Sequence, residues 1–173
     1  MNIRICLLAA ACLFTAATAA KAQELPRPVA NVELQDLEGK SVRLPYWGEK
    51  NLLIFYVDPD RYRQNHEFTV DMEENHRAEG ENIAGFGIMN LKDAPMVPNG
   101  VARSMARKRT EKNGATVLAD VDNILSRKWG LGDCNNLFVL LLVSKEGELV
   151  FMRKGELSEA DIAEFYRVVQ PYR

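Results

Sequence analysis

The sequence predicts an α/β fold: a three-layer sandwich with a mixed central β-sheet, helices on both faces of that sheet and an N-terminal β-hairpin. Three observations lead there. Residues 51–57 (NLLIFYV) and 137–143 (LFVLLLV) are unbroken apolar runs, as strands buried on both faces should be. Between them, strand-length apolar runs alternate with charged stretches of helical length. After them come a tight turn, a returning strand and an amphipathic segment, which read as a hairpin closed by a helix.

Residues 23–31 (QELPRPVAN), with Pro26 and Pro28, read as an extended arm, and residues 32–173 as one domain. Val32-Glu33-Leu34 and Val42-Arg43-Leu44 flank the turn-forming Asp36-Leu37-Glu38-Gly39-Lys40, a small hairpin. The strand Asn51 to Val57 stops at Asp58-Pro59-Asp60, where Asp60 can accept from the free N–H groups that open a helix, and Asp58 less directly. Arg61 to Glu79 then reads as a helix with Tyr62, Phe68 and Met72 as its narrow buried stripe and Gly80 as its end. Ile83 to Met89 is a second strand, and Leu91 to Gly100, with two prolines, a loop. Val101 to Asn113 is a helix with Val101, Met105 and Ala106 on one face and basic residues on the other. Thr116 to Ala119 is a short strand, and Val121 to Trp129 a short helix closed by Gly130. Leu137 to Val143, the turn at 145–148 and Leu149 to Arg153 form the closing hairpin. Ser158 caps Glu159 to Val169, where Ile162, Phe165, Tyr166 and Val169 recur at helical spacing; Ser158 with Asp161 forms a capping box in which Asp replaces the usual Glu.

Ahead of the arm, Arg4, the apolar run Ile5 to Phe14 and the small residues of Ala20-Lys21-Ala22 have the three parts of a cleavable export signal, residues 1–22. The run is too short to span a bilayer, so no membrane span remains after cleavage. Cys12 follows Leu8-Ala9-Ala10-Ala11, a setting for lipid attachment, but it lies inside the apolar run and a better cut site follows it. Cleavage removes two bases and no acid, so the mature chain is more negative than the −2 of the whole. Nothing in that balance recommends nucleic acid as a partner. Cleavage also removes Cys6 and Cys12, leaving Cys134 alone and no internal disulfide in the mature chain.

The closing module, Trp129-Gly130-Leu131, a loop, Leu137 to Val143, Lys145-Glu146-Gly147, Leu149 to Phe151 and Gly155-Glu156-Leu157-Ser158 into a helix, resembles the end of the thioredoxin fold. More narrowly, the chain resembles the YtfJ family of periplasmic thioredoxin-like proteins. Asp93-Ala94-Pro95 before Val101-Ala102-Arg103-Ser104, Val121-Asp122-Asn123 ahead of Trp129, and Gly155-Glu156-Leu157-Ser158 carry that likeness. The resemblance covers roughly residues 30–170 and implies a periplasmic location. It also implies that function sits where the first core strand meets its helix. Thioredoxins place Cys-Gly-Pro-Cys there, because a helix N-terminus lowers the thiol pKa. In this chain Asp60, Arg61, Tyr62 and Arg63 fall at about those positions, and none is a cysteine. The cis-proline loop of the fold corresponds to Gly132-Asp133-Cys134-Asn135-Asn136, which has no proline. Dithiol exchange and ordinary peroxidase chemistry are therefore not expected of this chain alone.

Four features remain as candidates. Cys134 is the one sulfur nucleophile, in a loop beside the ancestral active site; it can be redox-active or merely a small core residue. Asp58, Asp60, Arg61 and Arg63, with Asn135 of the neighbouring loop, can form a polar binding site in which arginine grips an anion, or can be capping and solvated charge. His66 and His76, ten residues apart on one predicted helix, point about 80° apart and three turns distant, so they do not share a metal, and none is expected. The basic run Arg103, Arg107, Lys108, Arg109 and Lys112 can meet an acidic partner or lipid head groups, and equally reads as a solvated face. The expectation is a periplasmic binding or accessory protein rather than an enzyme, without a cofactor, whose partner is an envelope protein or a small ligand. The alternative is a single-cysteine thiol protein using Cys134 with an external partner.

Overall fold

The computed structural model describes residues 24–94 and 96–173. The export signal read at residues 1–22, with Cys6 and Cys12, lies outside them. The elements are β1 (Arg27–Pro28), β2 (Glu33–Gln35), β3 (Ser41–Arg43), β4 (Asn51–Val57), α1 (His66–Asn75), β5 (Ile83–Asn90), α2 (Asn99–Asn113), β6 (Val117–Asp120), α3 (Ile124–Lys128), β7 (Phe138–Val143), β8 (Glu148–Lys154) and α4 (Glu159–Val169). The strands form one mixed sheet in the order β1-β8-β7-β4-β5-β6-β2-β3. At its centre β4 pairs in parallel with β5 and antiparallel with β7, and β5 pairs in parallel with β6.

Side chains alternate across a strand, so a continuous apolar strand feeds two cores at once. On one face Leu52, Ile54 and Tyr56 of β4 and Val139, Leu141 and Val143 of β7 pack with Leu125 and Trp129 at α3. On the other, Leu53 of β4 and Phe138, Leu140 and Leu142 of β7 meet Phe68 and Met72 of α1 and Phe165 and Val169 of α4. Every residue of β7 is buried, and each such side chain contributes about 1.5–3 kcal/mol relative to exposure. The sandwich with helices on both faces is thus set by two seven-residue apolar runs.

The N-terminal arm is tied down. Arg27 and Pro28 pair with Leu149 and Glu148, and the carbonyl of Ala30 accepts from Trp129 Nε1 at 2.7 Å. Trp129, 1 % exposed, lies under this strap with Trp47 against it at a centroid distance of 6.1 Å.

Three local expectations change. Arg61 to Asn65 is not the first turn of a helix. Asp58 caps a 3-10 turn over Pro59–Arg61, Asn65 takes a left-handed φ of 61°, and α1 begins only at His66, leaving Tyr62 55 % exposed instead of in a buried stripe. The break is held by Asn65 itself, whose amide donates to Gly155 O at 2.8 Å and accepts from Leu157 N at 2.8 Å. The helix also ends earlier, at left-handed His76, and Gly80 serves packing instead, since a Cβ there would lie 2.6 Å from the backbone of Arg173. In α2 the buried residue is Ala102, while Val101 and Met105 are each 50 % exposed. The helix is rotated by its own arginines, because Arg103 donates to Asp36 O and Gln35 Oε1, and Arg107 to Leu37 O at 2.6 Å. The α3 helix starts at Ile124 rather than Val121, since Asp120 accepts the amides of Ile124 and Leu125, each at 2.8 Å.

The closing helix is built as the sequence predicts. Ser158 Oγ accepts from Asp161 N at 3.2 Å, and Asp161 Oδ2 accepts from Ser158 N at 3.0 Å. The Ser158 hydroxyl and amide, with Arg153, hold the Asp161 carboxyl below its ordinary range. Replacing Ser158 with Ala should cost about 1 kcal/mol in urea unfolding at neutral pH. That deficit should shrink as the pH falls through the depressed Asp161 value, since protonation already undoes the box in the wild type. Phe165→Ala, by contrast, should cost about 3–5 kcal/mol, because Phe165 is fully buried between Phe68 at 5.8 Å and Phe151 at 5.5 Å.

Candidate functional site at the C-terminal edge of the strands

The three parallel strands end alike. β4 runs into Asp58, β5 closes with Asn90 and β6 with Asp120, and all three side chains have no exposed surface. Crevices outside the carboxyl ends of strands are the usual binding places of open α/β sheets. At this edge a buried polar side chain must find partners or forfeit its hydration, so each one organises the loop that follows.

Asp58 joins two loops. Its Oδ1 accepts from Asp60 N at 2.8 Å, closing the turn after β4, and its Oδ2 accepts from Asn136 N at 2.7 Å, in the loop that leads into β7. The same two segments are tied again by Asp58 N donating to Leu137 O at 3.1 Å, and by Gln64 Oε1 accepting from Phe138 N at 2.7 Å. Burial raises the Asp58 carboxyl above its ordinary value; the two amide hydrogen bonds oppose the rise, and the charges of Asp60 and Asp93 add to it.

Asp120 is enclosed in the same way. Besides the α3 amides it accepts from the Tyr56 hydroxyl at 3.3 Å, and burial, reinforced by this carboxylate, pushes the Tyr56 phenol well above its usual range. Asn90 donates to Asp93 Oδ2 at 3.0 Å, and Asn123 to Asp93 Oδ1 at 3.1 Å, so one carboxylate pins the loop after β5 to the start of α3. The oxygens of both amides, Asn90 Oδ1 and Asn123 Oδ1, and Asp60 Oδ1 are buried without a donor among the described residues.

The residues singled out from the sequence divide between two layers of this edge. Asp58 and Cys134 are inside; Cys134 is 2 % exposed, its Sγ lies 3.5 Å from Gly132 O, and burial pushes its thiol up to about 11 against the lowering charge of Lys154. Asp60 is half-buried. Arg61, Arg63 and Asn135 are outside and exposed, with the Arg63 guanidinium 5.3 Å from the centre of the Tyr62 ring. Asn135 Oδ1 accepts from the Asn136 amide at 3.0 Å. His66 and His76 bracket α1, and His76 Nδ1 lies 2.7 Å from Glu79 Oε1; among the described residues no group of three or more His, Cys, Asp or Glu side chains is arranged to hold a metal ion. Of the basic run on α2, Arg103, Arg107 and Arg109 are engaged within the chain, the last with Glu73, and Lys108 and Lys112 are exposed.

Asn90, Asp93, Asp120, Asn123 and Gln64 were not anticipated as parts of the site. A signal was present in that each of the three parallel apolar runs is terminated by a short Asp or Asn, at Val57-Asp58, Met89-Asn90 and Ala119-Asp120.

No family model and no curated protein matches this sequence. Solved structures do match in shape. The exposed lipoprotein thioredoxin of Streptococcus pneumoniae is 18 % identical with a TM-score of 0.59, over 80 % of this chain and 98 % of that one. A thioredoxin-family thiol:disulfide interchange protein of Chlorobium tepidum is 16 % identical with a TM-score of 0.57, over 87 % and 99 %. The peroxidoxin BcpB of Mycobacterium tuberculosis is 16 % identical with a TM-score of 0.57, over 86 % and 97 %. At these identities the likeness concerns architecture, and it gives this chain a thioredoxin-like fold.

Proposed function

We propose that this chain is an exported, periplasmic thioredoxin-fold protein of the YtfJ type that holds a partner rather than turning over a substrate. The observation that carries this reading is Asp58. At the strand-to-helix turn where the fold's redox proteins keep a reactive thiol, this chain places a buried carboxylate that is fully engaged with backbone amides of two loops. A carboxylate so used is a structural clamp, and no cysteine lies anywhere in the turn. Cys134 supports the same reading, since a thiol removed from water and raised to about 11 is poorly suited to supply the thiolate that exchange chemistry needs. The residues left facing outward, Arg61, Tyr62, Arg63 and Asn135, are recognition groups rather than proton or electron carriers. No described helix is long and apolar enough to cross a membrane.

Two predictions follow from the clamp and the thiol. Native protein at pH 7 should react with a thiol reagent through Cys134 on the order of 100-fold more slowly than a free cysteine, since burial pushes the thiol up to about 11 and leaves little thiolate, and should show no turnover in an insulin-reduction assay. Ready labelling without unfolding, or insulin turnover, would sink the binding reading.

Asp58→Ala should cost about 1–3 kcal/mol for each amide left unsatisfied, read by urea unfolding, and Asp58→Asn should recover only one of the two bonds, since its NH2 group cannot accept. With the folded-state carboxyl raised, the native state binds more protons than the unfolded state just above the ordinary carboxylate value. Asp58's contribution therefore makes the wild type lose stability as pH rises through that window, a slope absent from Asp58→Asn. A slope of opposite sign at this residue would contradict the desolvated clamp.

A further inference from the structure

Arginine is used consistently in this molecule. Every described arginine except Arg61 and Arg63 has an oxygen of the chain within 4.0 Å, as a hydrogen-bond or ion-pair partner. The two without an oxygen partner among the described residues flank one residue, Tyr62, on the outer bend of the turn after β4. Their nearest carboxylates in sequence do not neutralise them, because Asp58 faces inward to the two loops and Asp60 has its Oδ1 buried. Nor do these three side chains hold the fold together. The 3-10 turn buries no side chain, and Tyr62 is one of the few large hydrophobic side chains that remain exposed, with Arg63 over its ring.

The bend is nonetheless rigidly mounted. Backbone bonds Arg61 N to Asp58 O at 2.8 Å, Gln64 N to Arg61 O at 2.8 Å and His66 N to Arg63 O at 3.1 Å run through it, and the side chains of Asp58, Gln64 and Asn65 fasten it to loops 136–138 and 155–157. Two guanidinium groups without a hydrogen-bond or ion-pair partner among the described residues, and an exposed aromatic ring between them, all carried on a fixed backbone, suit carboxylates taken one per guanidinium. A polyanionic surface is a poor match, because the same edge carries Asp60, Asp93 and Asp133 and the chain is net negative. One or two carboxylates on a peptide, which also offers apolar surface to Tyr62 and amides to Asn135, suit it.

We propose that Arg61, Tyr62 and Arg63 form a docking site for a carboxylate-bearing peptide segment of the partner. This rests on the binding reading above and assigns its ligand chemistry. The probe is the peptide acetyl-Ala-Glu-Glu-Ala-amide, titrated into the labelled protein while the arginine Nε–H and tyrosine ring signals are followed by NMR. Saturable shifts confined to Arg61, Tyr62 and Arg63 are expected. The binding should weaken at least tenfold with the Gln-Gln peptide and with Arg61→Gln/Arg63→Gln, whose melting temperature should stay close to the wild-type value, because neither guanidinium has a hydrogen-bond or ion-pair partner among the described residues and Arg63 meets only the exposed Tyr62 ring. Shifts shared equally with Lys108 and Lys112, or an equal response to inorganic phosphate or to anionic phosphatidylglycerol vesicles, would overturn the assignment. A pull-down from envelope extract separates the two claims. If the wild type and the double variant retain one partner equally, the carboxylate site falls and the binding reading stands. If the wild type retains none while the peptide shifts persist, the site stands and the accessory reading falls.

Discussion

A carboxylate withdrawn from water must be compensated on the spot, and the way Asp58 is compensated decides the shape of the edge at the carboxyl ends of the parallel strands. Its two oxygens are divided between two chain segments that are far apart in sequence, the turn after β4 and the loop entering β7. One segment is a single 3-10 turn and the other a loop, and neither belongs to the sheet's ladder of hydrogen bonds, so their spacing is not set by strand pairing. Burial raises the carboxyl, which measures the cost of placing it there; the amide bonds return part of that cost and in doing so fix the distance between the loops. Gln64 and the Asp58 backbone repeat the same connection by other routes, and Asn65 ties the turn to the separate segment at 155–157.

The neighbouring strands use the same device. Asp120 replaces a conventional cap for α3, and Asp93 receives amides from both Asn90 and Asn123. The outcome is an edge whose inner layer is occupied with internal polar contacts, apart from the buried oxygens Asn90 Oδ1, Asn123 Oδ1 and Asp60 Oδ1, and whose outer layer is a bend carrying Arg61, Tyr62 and Arg63. A thiol pair would need the opposite arrangement, with an accessible sulfur held near positive charge. Cys134, buried and bounded by Asp93, Asp120 and Asp133, sits in surroundings of the wrong sign, with only Lys154 to offset them.

The sandwich was legible because the strands that define it are extreme. Residues 51–57 and 137–143 carry no charged side chain and, after Asn51, only the Tyr56 hydroxyl as a polar group, and the helix from Glu159 carries both its cap and its apolar stripe. What escaped was decided by contacts between distant residues. Asn65 looks like an ordinary helix residue until its partners at 155 and 157 are known, and Arg103 looks like a solvated base until the turn at 35–36 lies beneath it. The candidate site was half visible. Asp58 to Arg63 stood out by position, whereas Asn90, Asp93 and Asp120 each come from a different stretch of chain and meet only when the parallel strands align.

The most direct measurement of this account is the titration of Asp58 by NMR, following its side-chain carboxyl carbon together with the backbone amide protons of Asp60 and Asn136. A carboxyl that titrates above the ordinary aspartate range, with both amide signals moving along the same curve, is the predicted result. An ordinary or lowered value, or amides that ignore the titration, would show that the two loops are not held by this buried carboxylate and that the edge is organised in some other way.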